Sequence, residues 1–404
     1  MRRWLAALMT MAALGAAPAR AEAVAERGCA ALAARVDAVP GGGAAFLASW
    51  DGVEDEPALH GAAFTYDNAL AAIALVACGD PARARRVGDA LLIATTIDRA
   101  DPHGRLRNAY RAGPVSGLAP PHGWWDRSAG RWAEDPMQVG TATGNVAWAG
   151  LALLTVAEHG GDRRHRDGAR TLARWALGNA WDRVVGDRAG GGFTGGIHGD
   201  GDGTVRLGWK STEHNADLAA LFDWLGRDDG QWRDPARAAR AFVAAQFQAG
   251  GDHFLVGTLP DGRSPNRAVS GLDAQTWPPL LADAPAAWRA ALDYVRRVHG
   301  VDGGVDFNDD RDGVWWEGTA QLALAERATG QDDAARARLR LLAGQFSPGG
   351  YVWASSVPRL STGLALSPDS TRADFFYYRR PHLGATAWAV LAATGWNPFT
   401  GLRY

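Results

Sequence analysis

The 404-residue sequence predicts an all-α protein, an (α/α)6 toroid in which six inner and six outer helices close a ring with the long loops on one rim. Three observations carry that prediction. Strand signals are nearly absent from the chain, while helical segments recur along its whole length. The segments alternate in kind: one is apolar nearly all round, as a helix buried on most sides must be, and the next carries Arg and Asp along a single face, as a helix facing solvent does. The connections alternate too, short after each apolar segment and long before it, which makes antiparallel neighbours of each pair.

Taken in order, segment 24–39 is Ala-rich with charges spaced by helical turns and reads as the outer partner of the last helix. Segment 64–78 is the first inner helix; Gly79-Asp80-Pro81 then supplies a turn, an N-cap and a first-turn proline for the outer helix ending near residue 97. The further inner/outer pairs are 143–159 with 163–181, 212–225 with 235–248, 272–282 with 285–298, and 316–329 with 332–346; the inner helix 383–394 closes the chain. Two inner segments repeat each other: Gly144-Asn145-Val146-Ala147-Trp148-Ala149-Gly150-Leu151-Ala152 matches Gly384-Ala385-Thr386-Ala387-Trp388-Ala389-Val390-Leu391-Ala392 at Gly, Ala, Trp, Ala, Leu and Ala. Small residues let helices approach closely in a crowded ring. The repeat spacing is irregular, unlike that of an open solenoid.

In this pattern, and in the segments KSTEHNADLAALF at 210–222 and WWEGTAQLALA at 315–325, the chain resembles the six-hairpin glycosidase superfamily. The resemblance covers almost the whole chain but is architectural, and the Ser-Glu-Gly pattern of the cellulase-like glycoside hydrolase family 8 is missing. It implies carboxylates at the starts of inner helices and acid/base cleavage of a sugar bond. In such a ring Cys29, near the start of the first outer helix, and Cys78, at the end of the first inner helix, fall on one rim and are expected to form a disulfide.

Residues 1–21 read as an export address: Arg2-Arg3, an apolar run from Leu5 to Ala17, and the Ala19-Arg20-Ala21 cleavage pattern. A periplasmic or secreted protein follows, with residues 22–404 as a single catalytic toroid and an environment that permits a disulfide. No later stretch reaches the roughly 18 unbroken apolar residues that suggest a membrane span. Composition excludes other classes. The 42 basic residues, 41 of them Arg, are balanced by 44 acidic ones and form no stripe, so nucleic acid is not expected. No phosphate loop, dinucleotide fingerprint or paired zinc motif appears, so no cofactor is expected. Asp306, Asn308, Asp310, Asp312 and Glu317 match calcium-loop positions 1, 3, 5, 7 and 12, but the glycine required at position 6 is missing, and no metal is expected. A monomer binding carbohydrate is the expected state.

The chemistry belongs at the rim where the long loops gather. Asp67, Glu213, Asp273 and Glu317 fall one each in the first turns of inner helices one, three, four and five, and Asp217 lies one turn beyond Glu213 on the same face. Any one of them could merely complement a helix dipole; four around one mouth suggest the two carboxyl groups that glycoside hydrolysis needs. A helix N-terminus suits a base, whereas an acid needs desolvation. Trp209 near Glu213 and Trp315-Trp316 before Glu317 are the rings able to supply it; Glu213 is the expected acid and Asp67 or Glu317 the base. Eight of the 18 tryptophans (Trp50, Trp124, Trp125, Trp132, Trp209, Trp315, Trp316 and Trp353) fall in the long loops, either as platforms for sugar rings or as loop packing. Trp124, Trp125, Trp209, Trp316 and Tyr377, with His214, Asn215, Asn145, Asp217 and Asp273, are the expected substrate contacts. Two other classes stay open. Tyr110 with Arg105, Arg107 and Arg111 would suit a lyase or epimerase acting on uronates, and the same rim could serve a non-catalytic sugar-binding or envelope protein.

Overall fold

The computed structural model describes residues 21–96, 105–183, 191–248 and 250–404. The leader reading therefore lies outside the described residues, apart from Ala21, which is helical.

Among the described residues, twelve helices build the ring. They are α1 (21–38), α2 (Thr65–Ala77), α3 (Pro81–Thr96), α4 (Thr143–Glu158), α5 (Arg163–Asn179), α6 (Thr212–Gly226), α7 (Arg233–Gln246), α8 (Asp273–Thr276), α9 (Ala290–Val298), α10 (Trp316–Ala328), α11 (Asp332–Leu342) and α12 (Leu383–Thr394). The inner helices touch in the closed sequence α2, α4, α6, α8, α10, α12 and back to α2. Each is backed by an outer helix, and α1 backs α12, where Gly28 faces Val390. The predicted toroid is the observed fold.

The helix types follow from composition. In α2 and α12 nearly every residue is buried, because each has neighbours on both sides and an outer helix behind. In α5 the buried residues Gly168, Ala169, Leu172, Ala173 and Ala176 form one stripe, and Asp162 begins the helix with a reciprocal capping box to His165. The predicted inner helix 272–282 is corrected: α8 is a single turn, followed by a 3-10 turn at Pro278–Leu280. Pro278 and Pro279 have no amide hydrogen to extend the helix.

The strands are short, in keeping with the nearly absent strand signals. Short antiparallel pairs link each long loop to the next: Ala62–Phe64 with Ala109–Arg111, and Thr141–Ala142 with Gly196–His198. Ser211 bridges to Gly257, Leu272 N–H donates to Phe307 O at 2.8 Å, Trp315 bridges to Ser355, and Trp50 of the first loop bridges to His382 of the last. These links form a closed belt above the N-termini of the inner helices. Two- and three-residue pairs are too short to show a period-2 pattern, so only the ring that brings the loops together specifies them.

At the opposite rim Cys29 and Cys78 form the expected disulfide, with Cα atoms 5.8 Å apart. No helix among the described residues is long and apolar enough to cross a membrane.

Candidate active site

A cavity of about 370 Å³ opens within the belt at the mouth of the ring. Glu56, Asp135 and Asp374 line it from the loops, and five further carboxyl residues line it from the inner helices: Asp67 on α2, Glu213 and Asp217 on α6, Asp273 on α8 and Glu317 on α10. These five fall into two groups.

In the first group, His382, the residue before α12, stands between Asp67 (Nε2 to Oδ2 3.3 Å) and Glu317 (Nδ1 to Oε2 3.5 Å). Burial pushes the His382 pKa down, but the two carboxylates reverse this and hold it at about 9, so the ring is an imidazolium at neutral pH. The Tyr66 hydroxyl donates to Glu317 Oε1 at 2.7 Å. Burial raises the Glu317 pKa against the hydrogen bonds from His382 and Tyr66.

In the second group, Glu213 lies within hydrogen-bonding reach of Asp273. Burial, then the charges of Glu213 and Glu317, hold the Asp273 pKa well above the usual carboxylate range. Asp217 is fully buried, and its pKa is likewise held well above the usual carboxylate range, by burial and then by the charges of Glu213 and Asp273. Glu213 keeps 25% of its side chain exposed, against 1% for Glu317, and is the carboxyl of this group that reaches open space. His214 Nε2 lies 3.3 Å from Glu213 Oε1, with its ring against Trp209.

Aromatic rings form the floor and walls. Trp148 of α4, Trp277 after α8 and Trp388 of α12 meet at the ring axis, with centroids 5.3 to 6.2 Å apart, and Phe399 packs beneath. Trp388 Nε1 donates to the Tyr66 hydroxyl at 2.8 Å, which links the floor to Glu317. Trp50, Phe64, Phe307, Phe375 and Tyr377 line the sides. None of the described lining residues is Arg or Lys.

This geometry is set in a ring that solved structures share. A glycosidase variant in complex with glucose superposes with a TM-score of 0.60 at 19% identity, covering 92% of this chain and 96% of that one. The cellobiose 2-epimerase of Spirochaeta thermophila gives 0.58 at 14%, over 87% and 90%. A sugar epimerase from a ruminal bacterium gives 0.57 at 12%, over 87% and 92%. The chain has the (α/α)6 fold of these proteins. No family model and no curated sequence matches it.

Within this toroid the structure brings together Asp67, Glu213, His214, Asp217, Asp273, Glu317, Asn145 and Tyr377 of the expected site residues. Asn145 donates to Asn108 Oδ1 at 2.7 Å and borders the cavity.

Other expected contacts lie elsewhere. Tyr110 is buried, stacks on Phe46 at 5.1 Å, and accepts the Arg107 amide proton at its hydroxyl. The Asn215 amide is spent on the backbone of Phe193 and Ser211. Trp316 is buried in packing, and Trp209 covers Gly195 and His214 from behind. Trp124 and Trp125 stand on a hairpin beside the cavity and do not line it. Arg105 and Arg107 pair with Asp200, and Arg111 lies over Trp132. Of the eight loop tryptophans only Trp50 lines the cavity.

Sequence reasoning missed Tyr66, Trp148, Trp277 and His382. The Gly-x-x-x-Trp repeat was the available signal for Trp148, since it places that ring at the axis beside its counterpart Trp388.

The acidic loop resolves differently from a calcium hand. Asp306, Asp310 and Asp312 each bring an oxygen within 4.8 Å of the others, and Arg311 at the glycine position adopts φ 60°. Glu317 is turned away to Tyr66 and is no twelfth ligand.

Proposed function

We propose that this chain is a carbohydrate-active enzyme, a glycoside hydrolase that cleaves a neutral sugar linkage between its two carboxyl groups. The observation that carries this is the placement of the Glu213–Asp273 pair and the Glu317–His382–Asp67 set around one aromatic-lined cavity. The names of the structural neighbours, glycosidases and sugar epimerases, support the same substrate class.

The Glu213–Asp273 pair holds one proton, and Glu213 passes that proton to the glycosidic oxygen as the bond to the anomeric carbon breaks, which leaves both carboxylates ionised until the pair is reprotonated. Glu317 takes a proton from the water that attacks that carbon, and burial strengthens it as a base. Asp67 and His382 orient Glu317, and Tyr66 fixes its second oxygen. Trp50 and Tyr377 offer apolar faces to the rings, while His214 and Asn145 meet hydroxyls. The lack of Arg or Lys among the described lining residues supports a neutral sugar over a uronate, which a lyase would need to pair. The leader pattern and the Cys29–Cys78 bond support export to an oxidising compartment.

The test is a panel of neutral oligo- and polysaccharides scored for released reducing ends. Glu213→Gln and Glu317→Gln should each lower kcat by about 10²–10⁴-fold on the glycan that the wild type cleaves; wild-type turnover in both would overturn the assignment.

A second reading has one observation in its favour: two histidines, His214 and His382, face the same cavity. Epimerisation of a neutral reducing sugar would use such a pair to move a proton beside the carbonyl. Incubation of a reducing disaccharide in heavy water separates the two, because only epimerisation breaks the C–H bond beside the carbonyl and replaces it with C–D while the glycosidic bond stays intact.

A further inference from the structure

The hairpin formed by Trp124–Asp126 and Arg131–Ala133 stands beside the cavity and is not accounted for by the chemistry within it. Trp125 and Trp132 are directly opposite each other in its register and therefore share one face. They are 59% and 46% exposed, although large aromatic side chains are usually well covered.

The hairpin is built to hold them. A Cβ at Gly123 would stand 2.6–2.7 Å from the Trp132 indole, so the absence of a side chain there lets that ring lie against the strand. The Arg111 guanidinium lies over the Trp132 ring, 5.3 Å from its centre. The turn is pinned by Asp126, which accepts from the Ser128 amide and hydroxyl and from the Ala129 amide.

Both ends of the hairpin are clipped to the cavity wall. His122 contacts Pro57 O, and Gln138 Nε2 donates to Ala58 O. Ala58 and Leu59 line the cavity from that side, and Asp135, Met137 and Gln138 line it immediately after the second strand. The exposed pair is thus continuous with the cavity mouth. The cavity itself, about 370 Å³, is at the small end of ligand sites and has room for roughly one or two sugar rings. A longer glycan must leave it across the rim.

We propose that Trp125 and Trp132 form a glycan-binding platform outside the cavity that holds the emerging part of a neutral oligo- or polysaccharide chain. This rests on the glycoside-hydrolase reading above and specifies its substrate as a chain longer than the cavity. The indole faces would stack on the C–H faces of successive rings, with the backbone hairpin fixing their spacing.

Affinity electrophoresis tests this without catalysis. Gels cast with a soluble β-1,4-glucan, α-1,4-glucan, mannan or xylan should retard the wild type on at least one glycan. Trp125→Ala/Trp132→Ala should lose that retardation, and Trp125→Phe/Trp132→Phe should keep most of it. On a glycan that is cleaved, the ratio of kcat/KM for the polymer to that for its disaccharide should fall at least tenfold in the alanine double variant. Far-ultraviolet circular dichroism and Tm establish that both variants fold.

No retardation of the wild type on any glycan overturns the platform, as does equal retardation of wild type and alanine variant. A change from dimer to monomer in the alanine variant, with retardation and ratio unchanged, also overturns it and assigns the pair to self-association. Retardation lost in the alanine variant while no glycan is cleaved supports the platform and counts against hydrolysis.

Discussion

Gly384 marks the point where the first carboxylate group could not tolerate even a methyl group. A Cβ there would stand 2.6 Å from Asp67 Oδ1, 2.8 Å from Glu317 Oε2 and 2.9 Å from His382 Cε1. Gly144, its partner in the repeat, does the same for the second group, with His214 Cδ2 at 2.5 Å and Asp217 Oδ2 at 3.2 Å. Gly384→Ala should lower kcat by about 10²-fold through misplacement of Glu317, measured by steady-state kinetics on the cleaved glycan. The repeat was visible in the sequence, but a glycine on an apolar helix shows only that something comes close, and helix packing is the common reason. His382 gives a pH prediction. Its pKa is raised from 6.5 to about 9 in the folded chain. Its contribution to stability is therefore complete below about 6.5 and is lost as pH rises through about 9. Tm should fall between pH 7 and pH 10, and His382→Gln should reduce that fall. An unchanged pH dependence in the variant would show that the ion triad does not form. The four first-turn carboxylates were legible because a helix start fixes where a side chain can point. Trp148 and Trp277 were not, because an indole in an apolar run reads as core, and these rings are core on one face and cavity floor on the other.

At the scale of elements, what the sequence revealed depended on length. Helices such as α4 and α12 announced themselves, and so did the outer stripe of α5, because several turns of pattern accumulate in each. The one-turn α8 was overestimated because its apolar neighbours continue past Pro278 and Pro279, where hydrogen bonding cannot. The belt pairs escaped notice because each is only two or three residues long. The disulfide was legible once the ring was, because antiparallel partners place Cys29 and Cys78 at one end. The bond closes 49 residues, for which loop-closure entropy gives a ceiling of about 4 kcal/mol. The Cys29→Ala/Cys78→Ala variant should unfold at lower denaturant concentration, by up to that amount. Its kcat at 25 °C should stay within twofold of wild type, because the bond lies at the rim away from the cavity. Denaturant titration followed by tryptophan fluorescence measures the first, and the glycan assay the second.

For the whole molecule, closure is what makes the ring one cooperative unit. The helix α1 packs on α12 through Gly28 and Val390, and Trp50 of the first loop pairs with His382 of the last. A chain ending at residue 346 would keep eleven of the twelve helices yet leave α1, α2 and α10 with uncovered apolar faces. It should show no sharp thermal transition by circular dichroism and should bind a hydrophobic dye. A sharp transition near the wild-type Tm would refute closure as the source of cooperativity. The order of synthesis gives this closure a further meaning. Asp67 leaves the ribosome early and Glu317 late, but the imidazolium that holds them together arrives only with the start of α12. The nascent chain thus carries Asp67 through most of its synthesis without the cation that pairs with it, and the Asp67–His382–Glu317 set forms only when the last inner helix has met the first.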